Sequence, residues 1–248
     1  MGTGADVEIQ AVRDAFDISD DLLISAWCLH GAASAADAAA RFSPEWQRRA
    51  FAVSACVFDL ALTGTDRAAR DRLTLCFAAQ VGYRRAGLDP HGTAVYRRVT
   101  ELLSTDGGPV DQIGTLALQA GVAFLGSDTT LLGTWRRQLD AFAADVGLAG
   151  LQSTMFGPAR AVITAASSLL AYLRTGNRTQ LDAAQTVLTT VLDLSAGQGD
   201  HDARWVAAHL SQIADGMGTP SVCPTRGCTG GRRSRVPPLR YLLKGRDA

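Results

Sequence analysis

The sequence predicts an all-α fold built as an irregular array of antiparallel helix pairs. Three observations predict it. Apolar residues recur at three- and four-residue spacing through most of positions 1–218. Gly, Pro, Ser and Asp interrupt these runs at intervals of about one helix. No segment alternates apolar and polar residues between turn signals for long enough to form a strand.

The elements follow in order. Ser43-Pro44-Glu45 supplies an N-cap, a proline at the first helical position and an acidic first turn, and Phe51, Val53, Val57 and Leu60 continue the run to Gly64. A helix over about 44–63 is predicted. Thr65-Asp66 opens the next, which turns Leu73, Cys76 and Phe77 inward and ends at Arg84-Arg85 before Gly87, with basic side chains beside the negative end of the helix dipole. Asp89-Pro90 begins a third. Further helices are predicted over 109–125 after Gly107-Gly108-Pro109, over 129–145 after Ser127-Asp128, and over 158–175 between Gly157-Pro158 and Gly176.

On the last of these, Val162, Ile163, Ala166, Leu169, Leu170 and Leu173 mark one face. After Gly176-Asn177 the pattern repeats in Leu181, Ala184, Val187, Leu188, Val191 and Leu192, and so short a link requires antiparallel packing. A final helix over about 201–215 presents Trp205, Val206, Leu210 and Ile213, with Trp205, Leu188 and Leu192 expected in one buried cluster. With the N-terminal segments this makes nine or ten helices. Helix pairs at this spacing resemble tetratricopeptide-type arrays in outline, although no strict period and no Trp, Gly, Tyr and Pro consensus recurs.

Composition divides the chain in two. Residues 1–218 carry 17 Arg and no Lys against 23 acidic residues, a net charge of −6; residues 219–248 carry six Arg and Lys244 against Asp247, a net of +6. The body is expected to form one helical domain. The tail, with four prolines, Cys223, Cys228 and Arg232-Arg233-Ser234-Arg235, shows almost no helical periodicity before Leu239 and is expected to be disordered. The Ala-, Gly-, Arg- and Asp-rich body points to a GC-rich coding sequence, and a shifted frame of such a sequence yields a tail of this composition. A frameshifted or otherwise aberrant end is therefore expected. The N-terminus carries Asp6, Glu8 and Asp14 and lacks the basic leader and apolar segment of a signal peptide, and apolar runs such as 53–62 and 161–172 are interrupted before the roughly 18 residues of a membrane span. Cytoplasmic location, with no membrane partner, is expected. Reduced cysteines fit that compartment, and Cys28, Cys56 and Cys76 are read as buried small hydrophobes.

The common catalytic motifs are absent from the sequence. A phosphate-binding loop needs Gly-x-x-x-x-Gly-Lys-Ser/Thr, whereas the single lysine, Lys244, lies between Leu243 and Gly245. Neither Gly-x-Ser-x-Gly nor His-Glu-x-x-His occurs. Cys223 and Cys228 supply two zinc ligands where a closed site wants four. His201 and His209, eight residues apart, lie roughly 12 Å apart on one helix at about 1.5 Å rise per residue, too far to share a metal. His209 is expected to pack on Trp205, and His201 to help cap its helix. Cys28 and His30 diverge on a helix and do not form a nucleophile and base. No catalytic residue, cofactor site or metal site is expected, and the chain is read as a non-enzyme.

Four arginine doublets remain as contact candidates: Arg48-Arg49, Arg84-Arg85, Arg97-Arg98 and Arg136-Arg137, two of them near Trp46 and Trp135, together with Arg232, Arg233 and Arg235 of the tail. Lined along one ridge they would bind phosphates or an acidic partner, with tryptophan available for stacking. The competing reading makes them solvated faces paired with aspartates.

The stretch Ala171-Tyr172-Leu173-Arg174-Thr175-Gly176-Asn177-Arg178, then Arg204-Trp205-Val206-Ala207-Ala208-His209-Leu210 and Asp215-Gly216-Met217-Gly218-Thr219-Pro220-Ser221-Val222, resembles the helical region preceding the motor in large bacterial DEAD/DEAH-box helicases. The resemblance covers the last quarter of the body, holds no helicase signature residue, and implies an isolated or truncated accessory region without its motor. Three functional readings follow. The first is a non-catalytic helical interaction or accessory domain with a protein partner. The second is a nucleic-acid-binding module using the doublets and tail, and the third a small-molecule-binding helical protein with its site in a cleft between helices.

Overall fold

A computed structural model describes residues 19–35, 37–63, 67–100, 103, 114–147, 156–194 and 201–218. Among them are ten helices and no strand, the all-α fold expected from the sequence. They form two compact units, one holding α1 (Asp20–Ser34), α2 (Ala38–Arg41), α3 (Pro44–Ala61), α4 (Ala69–Ala86) and α5 (Asp89–Arg98). The other holds α6 (Leu116–Leu125), α7 (Thr129–Val146), α8 (Phe156–Thr175), α9 (Arg178–Asp193) and α10 (His201–Gly218).

Local chemistry sets most of the boundaries. The Ser43 side chain accepts from the Trp46 backbone N–H at 3.2 Å with Pro44 behind it, so α3 starts where the sequence places it. Gly87, at φ +78°, ends α4: its N–H donates to the Arg84 carbonyl and the Leu88 N–H to the Tyr83 carbonyl. A side chain at Gly87 would strain that left-handed turn. Ser127 takes the same conformation after α6, at φ +59°, and Asp128 at once caps α7 by accepting from the Leu131 N–H at 2.9 Å. Two helices thus abut through three residues. α4 begins at Ala69 rather than at Thr65-Asp66, α8 begins two residues before Pro158, and α10 runs on to Gly218. Residues 64–66, the segment 104–113 where a helix was expected to begin, and the tail 219–248 lie outside the described residues.

In the first unit α1 packs antiparallel on α3, with Trp27 against Phe58 at one level and His30 against Phe51 at the next. α3 and α4 approach more closely. A Cβ built on Gly82 would lie 2.8 Å from the Ala55 Cβ and 2.9 Å from the Phe51 carbonyl oxygen, so the absent side chain permits the crossing. Around it Ala55, Phe58, Cys76, Phe77, Ala78 and Ala79 are fully buried.

The second unit is organised about α8, which packs on α6, α7, α9 and α10. α6 is buried on every side from Leu116 to Leu125, as its nearly unbroken apolar composition allows. Arg160 reaching Asp140 and Arg174 reaching Thr129 fix α7 and α8 antiparallel, while Gly176 and the capping Asn177 turn α8 back into α9. By length and composition α8 could cross a membrane, unlike the shorter runs read from the sequence; here its buried face, with Ala159, Val162, Ile163, Ala166 and Leu169, is covered by protein.

The inward faces agree with the sequence at Val162, Ile163, Leu169, Leu181, Ala184, Leu188, Val191, Val206 and Leu210. Leu173, Val187, Leu192, Trp205 and Ile213 are only half-buried, because each sits at the margin of its helix's apolar stripe. Trp205 is therefore not the buried anchor expected of it; the fully buried tryptophan is Trp135. Cys56 and Cys76 are buried as expected, but Cys28 is exposed, since α1 turns Ala26, His30 and Ala33 to its neighbours instead.

Candidate functional site

A cleft of about 590 Å³ lies within the second unit, between α7, α8 and α9. Its polar lining is Arg136 and Asp140 from α7, Arg160 and Thr164 from α8, and Thr190 from α9. Pro158, Ala161, Val187, Val191 and Leu194 supply the apolar surface, and Gly157 completes the wall. Arg136 and Asp140 share a face because they are four residues apart, and Arg160 stands opposite them through the antiparallel packing of α8.

The polar side is organised by one carboxylate. Asp140 Oδ1 accepts from both Arg160 Nε, at 3.2 Å, and Arg160 Nη2, at 2.7 Å, while Oδ2 lies 3.9 Å from Arg136 Nε. One aspartate thus holds guanidiniums from two helices, and the three groups carry a net charge of +1. The side chains are 36–52% exposed, so the pairs contribute at most about 1 kcal/mol each to stability. Their consequence is geometric. A guanidinium presents a planar fork of N–H donors, and Asp140 engages only the Nε/Nη2 edge, which leaves the Nη1 edge of Arg160 without a partner among the described residues.

Of the doublets read from the sequence, only Arg136 lines this cleft. Arg137, its neighbour, turns away and donates to Thr134 Oγ1 at 3.2 Å. Neighbouring positions on a helix diverge by about 100°, which separates the members of the other doublets as well. Arg98 reaches Asp59, whose carboxylate is 2% exposed and also accepts from the Tyr83 hydroxyl at 3.1 Å, while Arg97 is exposed. Arg49 is paired with Glu45 at 2.6 Å beside an exposed Arg48. Burial lowers the Arg84 guanidinium from its ordinary value, an effect that Asp89 offsets and Arg85 reinforces. Arg85, with its guanidinium carbon 5.6 Å from the Phe51 ring centre, is lowered by partial removal from water. Arg232, Arg233 and Arg235, with Cys223 and Cys228, lie outside the described residues.

The tryptophans expected beside the doublets do not stand free. Trp135 is fully buried, and Trp46 stacks on Phe42 with ring centres 3.9 Å apart while packing on the Ala33, Ala50 and Phe51 cluster. His209 packs edge-on against Trp205 with ring centres 5.4 Å apart, and its Nδ1 lies 3.0 Å from the Trp205 carbonyl oxygen, as its position four residues on suggested. Among the described residues no three His, Cys, Asp or Glu side chains converge as a metal site would need.

Arg160 and Asp140 were not singled out from the sequence. The signals they offered were an arginine in the first turns of a largely apolar helix and an Arg-x-x-x-Asp spacing on another, and neither says that the two meet. Comparisons of the chain with protein-family models, with curated proteins and with solved structures give no match.

Proposed function

We propose that this chain is a non-catalytic helical binding module whose ligand site is the cleft between α7, α8 and α9. The observation that carries the proposal is the composition of that cleft. An apolar surface from α8 and α9 meets two guanidiniums gathered about Asp140 in a volume within the roughly 300–1,000 Å³ usual for small-molecule sites. Of the three readings raised by the sequence, this favours the small-molecule one. The nucleic-acid reading rests on fewer residues than the doublets suggested, because Arg49 and Arg98 already hold carboxylates and Trp135 offers no face for stacking. The helicase-accessory reading has its support in the sequence resemblance over 171–222.

The test is a fragment titration of the isotopically labelled protein, with neutral, cationic and anionic fragments, followed by amide chemical shifts. Binding in the cleft predicts perturbations at Ala161, Thr164, Val187 and Thr190. If no fragment of any charge perturbs those residues, the proposal is wrong.

A further inference from the structure

We infer that the cleft takes a small amphipathic monocarboxylate, a ligand with one carboxylate head and an apolar body. The inference rests on the cleft being a binding site. The two arginines and Asp140 leave a single positive charge uncompensated, which matches one anionic group and not a dianion such as a phosphate monoester. The open Nη1 edge of Arg160 offers paired N–H donors to a planar oxygen pair, the geometry in which guanidinium binds carboxylate best. Arg136, whose contact with Asp140 is 3.9 Å, lines the same cleft and adds a second guanidinium for the head group.

The rest of the lining sets the body of the ligand. Pro158, Ala161, Val187, Val191 and Leu194 offer carbon surface with no charge, so an alkyl or aryl chain is accommodated and a polar one gains nothing. Thr164 and Thr190 provide the remaining hydroxyls at the lining. Asp140 then acts as a positioning residue: it holds the Arg160 fork and contributes the negative charge that limits the ligand to one.

The probes are decanoate, decanol and decylamine, compared on the full chain at sub-micellar concentration by calorimetry and amide chemical shifts. Decanoate is expected to bind about tenfold or more tightly than decanol, from its charge-assisted hydrogen bonds, and decylamine weakest, with shifts at Ala161, Thr164 and Thr190. Arg136→Gln, and Arg160→Gln, which removes the fork and leaves Arg136 balanced by Asp140, are each expected to abolish the preference for decanoate over decanol. Their far-ultraviolet circular dichroism and melting should remain close to the parent's, because the exposed pairs add little stability.

Equal binding of decanol and decanoate at the cleft would overturn the monocarboxylate inference while leaving the cleft as a site. Binding of decanoate with shifts only outside the cleft, or a preference retained in Arg160→Gln, would overturn it as well. If all three probes fail to bind and neutral fragments also leave the cleft unperturbed, the functional proposal falls with it.

Discussion

Gly82→Ala tests the packing of the first unit most directly. At an exposed helical position this exchange stabilises by roughly 0.5–1 kcal/mol, because alanine loses less backbone freedom on folding. At position 82 the added carbon would sit 2.8 Å from the Ala55 Cβ, about 0.7–1.2 Å inside the usual carbon–carbon separation, and 2.9 Å from the Phe51 carbonyl oxygen. Neither neighbour can turn aside. Ala55 has no side-chain rotamer, and the Phe51 carbonyl belongs to α3, so relief requires α3 and α4 to move apart and loosen the contacts of Phe58, Phe77 and Ala79.

Overpacking costs about 1–3 kcal/mol, and with two neighbours that cannot turn aside the upper part of that range applies, which exceeds the helix-propensity gain. The expected net effect is a destabilisation of about 1–2 kcal/mol, read as a lower urea midpoint with an unchanged slope. Gly31→Ala, on α1 with nothing within 4 Å of the added carbon, is the control and should raise stability. Ala55→Gly combined with Gly82→Ala should recover only part of the loss, since the Phe51 oxygen remains. A Gly82→Ala protein as stable as the parent would refute the close approach of α3 and α4.

Tyr83→Phe removes one donor from the buried Asp59 carboxylate and should cost about 1–3 kcal/mol by urea denaturation; a loss below half a kilocalorie would mean that the carboxylate finds other solvation. Asp59→Ala should cost more, since it removes the acceptor of both the buried Tyr83 hydroxyl and Arg98, and Arg98→Ala, at an exposed side chain, should show how much of that loss belongs to the ion pair. Trp135→Ala should destabilise by about 3–5 kcal/mol, as expected for a fully buried indole, whereas the half-buried Trp205→Ala should cost distinctly less; the reverse order in urea midpoints would contradict the burial of the two rings.

Helix ends were legible in the sequence wherever their chemistry is local. Ser43-Pro44, Gly87, Ser127-Asp128 and Gly176-Asn177 each act on backbone groups within four residues, so the signal and its effect lie together. Depth was not legible in this way. Leu116–Leu125 and Phe156–Thr175 both read as apolar helices, yet only the first is enclosed on every side, because enclosure depends on neighbours distant in sequence. Cys28 shows the same limit: apolar residues surround it in sequence, but α1 has little amphipathic bias and turns another face inward.

The candidate site was half legible. Arg136 stood out as one of a doublet, but its role depends on Asp140 one helical turn away and on Arg160 across the α7–α8 contact. Arg98 drew attention for the same reason as Arg136 and proves to serve the buried Asp59, 39 positions earlier in the chain. Doublets are conspicuous in a sequence because they are adjacent; on a helix adjacency sends their members to different neighbours.

The central place of α8 also bears on how the second unit opens. A helix touching four others cannot separate from one of them without disturbing the rest, whereas α7 and α9 each have a face turned to solvent. The amides of Val162 to Leu170 should therefore exchange with deuterium only when the whole unit unfolds, and share one opening free energy. Those on the outer turns of α9, near Asp182, Thr186 and Thr190, should exchange through smaller local openings. The cleft lies between these two regimes, with one wall on the slowest-exchanging helix and another on a helix that opens more readily. A ligand seated there would slow exchange in α9 far more than in α8.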